Sequence, residues 1–294
     1  MRGASELYTR PPALDFIRFA DDTNIFFSYK DFNLLPEILN SEMPKLTQWC
    51  RANKLSINFK KSNFMVFRPR QRRQTLDMSI QIDNNVIERA REKVFLGVIL
   101  DEHLSWKPHI LSVSRKISKS IGIIYKSSFC LPKTSLRSLY YSLVYPYLTY
   151  CVSEWGSTYQ SNLNRIIILQ KKIMRIISKV SFDAHTGVLF KEQEILKFSD
   201  IYLYQIGKFM YLFKRGLLPN YFRNMFTLAS QIHSYNRRIS SLFYIPHCRT
   251  NFRKFSIRFQ GPTFFNSLSR EIQNSESISL FGKRLKKFLL SQVN

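Results

Sequence analysis

Hydrophobic periodicity changes once along the chain, near Trp106, and that switch limits the fold more than any other feature of the sequence. Before it, short runs rich in aromatic and β-branched residues alternate with polar turns. Leu14 to Tyr29 reads as two strands, with Phe16, Ile17 and Phe19, then Ile25, Phe26 and Phe27, flanking the polar turn Ala20 to Asn24. Asp31 is placed to cap an amphipathic helix from about Phe32 through Asn53. Pro36 is tolerated in its first turns, and Leu35, Ile38, Leu39, Leu46 and Trp49 form the apolar face. Strand signals return at Asn63 to Arg68, at Ser79 to Ile82, at Val86 to Glu88 around the Asp83-Asn84-Asn85 turn, and at Lys93 to Leu100. These are expected to be short antiparallel members. After Trp106 the spacing becomes helical: about Pro108 to Phe129, Lys133 to Cys151 with a kink at Pro146, Ser161 to Ser178, Ser199 to Arg215, and Ser277 to Gln292. The segment around Tyr235 to Gln260 is aromatic and basic with poor periodicity, and Pro11 and Pro12 exclude a helix from the irregular start. Strands first and helices afterwards predict an α+β chain of two or three modules.

Charge narrows the partners. Lys and Arg number 45 against 20 Asp and Glu, a formal net charge of +25, and between Asp200 and Glu271 no carboxylate occurs at all. Such an excess repels itself in a compact state, and its natural counterpart is a polyanion, either nucleic acid or an anionic membrane. The membrane reading is weaker, because the basic residues are spread along the chain and do not gather on one amphipathic segment. The longest uncharged stretch, Ser138 to Ser153, also falls short of the roughly 18 apolar residues that a spanning helix needs. With 45% hydrophobic and 22% charged residues the chain can bury a core. Cys50, Cys130, Cys151 and Cys248 form no CxxC pair and follow no secretory leader. An intracellular, reduced protein is expected, nuclear or cytoplasmic. The histidines lack partners at metal-ligand spacing, and their ordinary role is structural.

One feature runs against the charge. Asp21 and Asp22 sit side by side at a turn between hydrophobic strands, and like charges about 4 Å apart repel by roughly 4 kcal/mol at an effective dielectric near 20. A divalent cation removes that repulsion, and oxygen-only ligands suit Mg²⁺, which keeps waters and takes further oxygens from substrate phosphates. An ordinary Asp-containing turn is the plain alternative.

The context favours the metal. Phe19-Ala20-Asp21-Asp22-Thr23 resembles the aromatic-x-Asp-Asp motif of reverse transcriptases, in the form common among non-LTR retrotransposons. Asn53-Lys54-Leu55-Ser56-Ile57-Asn58 with Lys60-Lys61-Ser62, then Met65 and Phe67, is similar to the next motif of that family, with Ser62 where Thr is more usual. Phe95-Leu96-Gly97-Val98, then Leu104-Ser105-Trp106 and His109, resembles the primer-grip region and the start of the thumb. Tyr150-Cys151 with Trp155-Gly156, Gln170-Lys171-Lys172 with Arg175-Ile176, and Gly261-Pro262 with Phe265-Asn266-Ser267-Leu268 resemble the C-terminal extension of jockey- or CR1-like elements. Phe265 stands where Trp is more typical.

The resemblance implies a division into an irregular N-terminus (1–13), the C-terminal part of a palm with the Asp-Asp hairpin (14–70), and a primer-grip-like β segment (71–105). A helical thumb (106–181) and a basic C-terminal extension (182–294) follow. It implies Asp21 and Asp22 as metal ligands for Mg²⁺, with Mn²⁺ as a substitute, and Lys61 or its neighbour Lys60 facing the triphosphate or leaving pyrophosphate. Phe95, Leu96 and Gly97 would fix the primer end. By helical spacing, Arg115, Lys119 and Lys126 fall opposite the stripe Ile110, Val113, Ile117, Ile121 and Ile124, where they either follow the phosphates of a primer–template duplex or merely keep a surface helix soluble. Lys172, Arg175 and Lys179 further on are additional candidates for the phosphate backbone. The implied partners are an RNA template, a DNA primer or target, and dNTPs for a complete enzyme. Family members place fingers and another metal-binding Asp before the hairpin, and Asp15 is a poor substitute because it lies in the hairpin's own first strand. The chain is therefore expected to be inactive alone. The rival reading is a non-catalytic nucleic-acid-binding remnant that uses its basic surface.

Overall fold

The computed structural model describes residues 14–19, 22–28, 34–69, 78–83, 85–232 and 242–292. The architecture is mixed α+β, and the described residues form three small sheets in the first third and helices thereafter. Contacts divide the chain into two compact units, Met1–Arg91 and Glu92–Asn294.

In the first unit, β1 (Leu14–Phe19) and β2 (Asp22–Phe27) form the expected hairpin. Helix α1 (Leu35–Ala52) follows, with Pro36 in its first turn. The capping role assigned to Asp31 lies outside the described residues. The predicted apolar face is half-buried, and the helix turns Met43 at its centre fully inward. Met43 packs with Ile80, Ile82 and Ile87 from β4 (Ile80–Ile82) and β5 (Asn85–Arg89), and Ile25 of the hairpin leans on the same cluster. The expected strand from Asn63 shortens to β3 (Asn63–Phe64), and it pairs with β5 in parallel, not antiparallel. Parallel neighbours need about a dozen intervening residues to return to the same end, and the chain through β4 supplies them.

In the second unit, Lys93 to Leu100 is not the single strand expected but a hairpin of β6 (Glu92–Phe95) and β7 (Val98–Asp101), turning on Leu96 and Gly97. Both turn residues have positive φ, 46° and 80°, the combination that matches a two-residue turn to the twist of its strands. Helix α2 (Lys107–Ser127) then runs as predicted, and its stripe Ile110, Val113, Ile117, Ile121 and Ile124 is entirely buried. The kink expected at Pro146 is a complete break: α3 (Lys133–Leu143) stops, and α4 (Tyr145–Thr149) starts one residue later. Pro146 has no N–H to return to the carbonyl four residues back, and its ring occupies that turn. The buried Ser120 hydroxyl donates to the Leu143 carbonyl at 2.9 Å, satisfying an acceptor at the break.

Helices α5 (Val152–Trp155), α6 (Gln160–Ser178), α7 (Thr186–Glu192) and α8 (Phe198–Lys214) continue the layer. They are followed by α9 (Ala229–Ile232), α10 (Asn251–Lys254), α11 (Ile257–Ser267), α12 (Arg270–Gln273) and α13 (Ile278–Ser291). Their inward faces build one large core that includes Ile124, Tyr140, Trp155, Ile173, Met210, Phe265 and Phe281. Gln170 lies inside it with every polar atom engaged. Its amide nitrogen donates to the Tyr140 hydroxyl and the Leu196 carbonyl, each at 2.9 Å, and its oxygen accepts the Phe198 N–H at 2.8 Å. Among the described residues no helix is long and apolar enough to cross a membrane.

Candidate functional site

The β1–β2 pair is in full register, from Leu14 opposite Phe27 to Phe19 opposite Asp22. Side chains two apart share a face of a strand. Since Ile25 faces the core, Asp22, Asn24 and Phe26 face the other way, alongside Asp15, Ile17 and Phe19 of the partner strand. Ile17 and Phe19 on that face are 45% and 60% exposed. Asp21 and Ala20 lie outside the described residues, so Asp22 is the member of the acidic pair that can be placed. It is exposed and enters no ion pair among the described residues. An exposed carboxylate at the start of β2 fits a hard divalent ion as one oxygen of a ligand set completed by others. No group of three His, Cys, Asp or Glu that could hold a metal occurs among the described residues.

Lys61 stands in the turn after α1. The Asn58 carbonyl accepts the N–H groups of Lys61 and Ser62 at 3.1 and 3.0 Å, and the Ser62 hydroxyl at 3.0 Å. The backbone is thereby fixed while the Lys60 and Lys61 side chains extend into solvent. A salt bridge from Arg51 to Asp83 at 2.7 Å ties the end of α1 to the β4–β5 turn. Lys61 and Asp22 share no hydrogen bond or ion pair among the described residues.

Phe95, Leu96 and Gly97 come together at the tip of the β6–β7 hairpin. The Tyr150 hydroxyl donates to the Leu96 carbonyl at 2.6 Å. Its ring lies close under the turn, where a Cβ on Gly97 would be 3.4 Å from Tyr150 Cε1. Glycine suits the position because of its φ of 80°, which L side chains rarely adopt. The root of the hairpin is held by Asp101, a buried carboxylate that sequence reasoning did not single out. It accepts the N–H groups of His103, Ser105 and Trp106 at 3.3, 3.1 and 3.1 Å. The loop it organises carries Leu104 and Trp106 at φ 46° and 62°, a left-handed conformation that costs about 1–2 kcal/mol per residue. Thr158 and Asn162 donate to the Ser105 carbonyl, each at 3.1 Å, sewing the loop to the start of α6. The available signal was an Asp at the end of a strand, a few residues before a helix, where its side chain can bond the backbone ahead of it.

His109, in the first turn of α2, also has a definite partner. Its Nδ1 accepts the Ile99 N–H at 3.3 Å, and its ring meets Trp155 edge-on at 5.3 Å. Burial, with Lys116 nearby, lowers its pKa to about 4. The imidazole is therefore neutral at pH 7, with its proton on Nε2.

The basic residues separate into two groups. Arg115, Lys119 and Lys126 are exposed on the side of α2 opposite the buried stripe. At 100° and 1.5 Å per residue they form a line about 16 Å long. Lys172 is likewise exposed on α6. Arg175 is half-buried, and its Nε donates to the Ala184 carbonyl at 2.9 Å, holding the loop after α6. Lys179 closes that helix in the left-handed conformation, φ 54°, with its side chain exposed.

Comparison with known proteins gives a consistent class. The chain is similar to a probable RNA-directed DNA polymerase from the transposon BS of Drosophila melanogaster, 23% identical over 211 residues, which cover 68% of this chain and 23% of that protein. It is similar to the RNA-directed DNA polymerase of the mobile element jockey from the same organism, 23% identical over 209 residues, 67% of this chain and 22% of that protein. A probable polymerase from the transposon X-element matches at 21% over 180 residues, 60% of this chain and 20% of that protein. No family model and no solved structure matches. The chain is thus related to the RNA-directed DNA polymerases of mobile elements. Within that class its relatives are the reverse transcriptases of jockey-like, non-LTR retrotransposons, as the motifs implied. It spans between a fifth and a quarter of the length of these relatives.

Proposed function

We propose that the chain contributes the later part of a reverse-transcriptase polymerase and holds primer and template during DNA synthesis. Residues 14–70 supply palm with the acidic hairpin, 71–105 a β segment that grips the primer, 106–181 a helical thumb, and 182–294 a basic extension. The observation that carries this reading is the similarity of 60 to 68% of the chain to polymerases of three mobile elements.

Several features support it. Asp22 is exposed at a rigidly paired hairpin, available to a hard cation. Mg²⁺ bound by Asp21 and Asp22 would neutralise charge on the reacting phosphates. Lys61 projects from a turn whose backbone is already satisfied, so its ammonium can meet a phosphate. The Leu96–Gly97 tip is braced from beneath by Tyr150, which suits a backbone surface against which a primer end is placed. The Arg115, Lys119 and Lys126 line follows a phosphate strand without reading sequence.

The test pairs two measurements on the 294-residue chain. It should bind an RNA–DNA hybrid with steep salt dependence and incorporate no dNTP with Mg²⁺ or Mn²⁺, because the acidic pair forms one side of a two-metal site. Failure to bind the hybrid at about 50 mM salt would overturn the reading. Synthesis that Asp22→Asn abolishes would overturn the claim that the chain alone is inactive.

A further inference from the structure

The second unit carries a cationic cleft that the reading above does not use. Its volume is about 440 Å³, and it is lined by His247, Arg249, Thr250 and Arg253. Each of these side chains offers an N–H or O–H donor, and no carboxylate lies among them. Neither arginine has an ion-pair partner among the described residues, and the sequence from 201 to 270 contains no Asp or Glu that could supply one.

The chain on either side of these residues is tied down. Asn266 clamps Phe243 on both sides, its Oδ1 accepting the Phe243 N–H at 3.0 Å and its Nδ2 donating to the Phe243 carbonyl at 2.8 Å. The Ser157 hydroxyl donates to the Phe255 carbonyl, and the Phe255 ring meets Tyr159 edge-on at 5.0 Å. Gln260 Nε2 and the Ser256 hydroxyl donate to the carbonyls of Lys254 and Arg253, each at 2.7 Å. Thr250 caps α10 with its side-chain oxygen, which accepts the Arg253 N–H at 3.5 Å. The Arg253 guanidinium is therefore carried on backbone fixed at several points, with Arg249 directly before the capping Thr250. Phe252, between them in sequence, leaves 63% of its surface in solvent.

We propose that this cleft binds a phosphate of a single-stranded nucleic acid, with Phe252 beside it as a platform for a base. Guanidinium forks match phosphate oxygens in pairs, and the volume falls in the range of about 300–1,000 Å³ typical of ligand sites, enough for a phosphate with its sugar. An exposed aromatic on the same short helix as a cationic donor suits a single strand, whose base faces are open to stacking; in a duplex they are covered. The site rests on the nucleic-acid role proposed above and adds to it a contact point separate from the α2 face.

The test measures binding of a fluorescein-labelled decameric oligouridylate to the full chain by anisotropy, at salt from about 50 to 200 mM. Arg249→Gln with Arg253→Gln should flatten the salt dependence. Two lost contacts at about 0.7 each lower the slope by about 1.4, so the deficit relative to the parent narrows about sevenfold across that range. Phe252→Ala should weaken the single strand about fivefold or more and leave a blunt duplex unchanged. Melting curves confirm that each variant folds. A parent that binds, with a double variant of unchanged affinity and slope, would overturn the cleft and leave the polymerase reading standing. A parent that binds no RNA or hybrid would overturn both. A 5′-phosphorylated strand that binds more tightly than its 5′-hydroxyl counterpart assigns the cleft to a terminal phosphate, and equal binding assigns it to an internal diester.

Discussion

Lowering the pH from 6.5 to 4 should destabilise the second unit through His109 alone, before any surface charge is considered. The folded state holds this imidazole neutral. Nδ1 accepts the Ile99 N–H, and the buried Nε2 has no acceptor among the described residues. A second proton would have to displace the Ile99 hydrogen bond and place a cation in the core near Lys116. The pKa accordingly falls from 6.5 to about 4. The sign follows from which state takes up the proton. Between these two values the unfolded chain is protonated and the folded chain is not, so stability present above pH 6.5 is lost as the pH falls and levels off below about 4. Each pH step of one between the two values removes about 1.4 kcal/mol, and with some screening by nearby solvent the loss is on the order of 2–3 kcal/mol. That is a large fraction of a typical domain stability of about 5–15 kcal/mol. His109→Asn is the control, because the amide oxygen can accept the Ile99 N–H and does not titrate. Urea unfolding should be followed by tryptophan fluorescence, to which the buried Trp155 contributes from 5.3 Å away. The parent should lose about 2–3 kcal/mol more than the variant over the same pH interval. Parallel curves for the two proteins would refute the buried neutral imidazole.

Asp101→Ala strands three backbone N–H groups around two left-handed residues and should cost on the order of 3 kcal/mol in chemical denaturation, with Asp101→Asn retaining part of it. Tyr150→Phe removes the hydroxyl that holds the Leu96 carbonyl. It should cost about 1 kcal/mol and speed amide exchange at the β6–β7 turn while leaving α2 protected. Changing Arg115, Lys119 and Lys126 together to Gln should lower the salt slope for an RNA–DNA hybrid by about 2.7, at about 0.9 per contact. An unchanged slope would assign that face to solvent.

The parts of the fold legible in the sequence are those in which one periodicity runs uninterrupted. The stripe from Ile110 to Ile124 repeats at helical spacing for about four turns, and the structure buries each member. Legibility failed where a local backbone choice overrode the side-chain pattern. Lys93 to Leu100 alternates like a strand, but Leu96 and Gly97 both take positive φ and fold it in half. Residues 133 to 151 keep a helical pattern across Pro146, but the pattern carries no information about the missing N–H. The acidic turn draws notice in the sequence because two carboxylates stand out in a chain of charge +25, and the structure describes Asp22 alone of the pair. Asp101 was not, because a lone Asp at the end of a strand resembles any loop residue until the N–H groups it collects are seen. The arginines of the cleft were visible only as part of a long basic run, since the run itself does not say which of its members line one cleft.

This difference separates recognition from function within the second unit. The motif residues by which the chain resembles its relatives there are largely packing residues. Trp155 is fully buried and stacks on Phe198 at 5.3 Å. Gly156 leaves no room for a side chain, since a Cβ would come within 2.6 Å of Tyr202 and of the Val152 carbonyl. Gln170 is an internal hydrogen-bond node, Phe265 is 1% exposed, and Arg175 binds a loop carbonyl. Such residues hold helices at fixed separations, and none of Trp155, Gly156, Gln170 or Phe265 presents a group to a strand of nucleic acid. The groups that can do so, Arg115, Lys119, Lys126, Lys172, Arg249 and Arg253, mostly lie outside the motifs, on faces where charge matters more than shape. A basic residue on such a face can move by a turn of helix and still meet a phosphate, whereas the core beneath it admits no such freedom. A chain of this kind is therefore recognised by the residues that position its surface, and the nucleic-acid binding proposed above is to be tested on the exposed cations those residues carry.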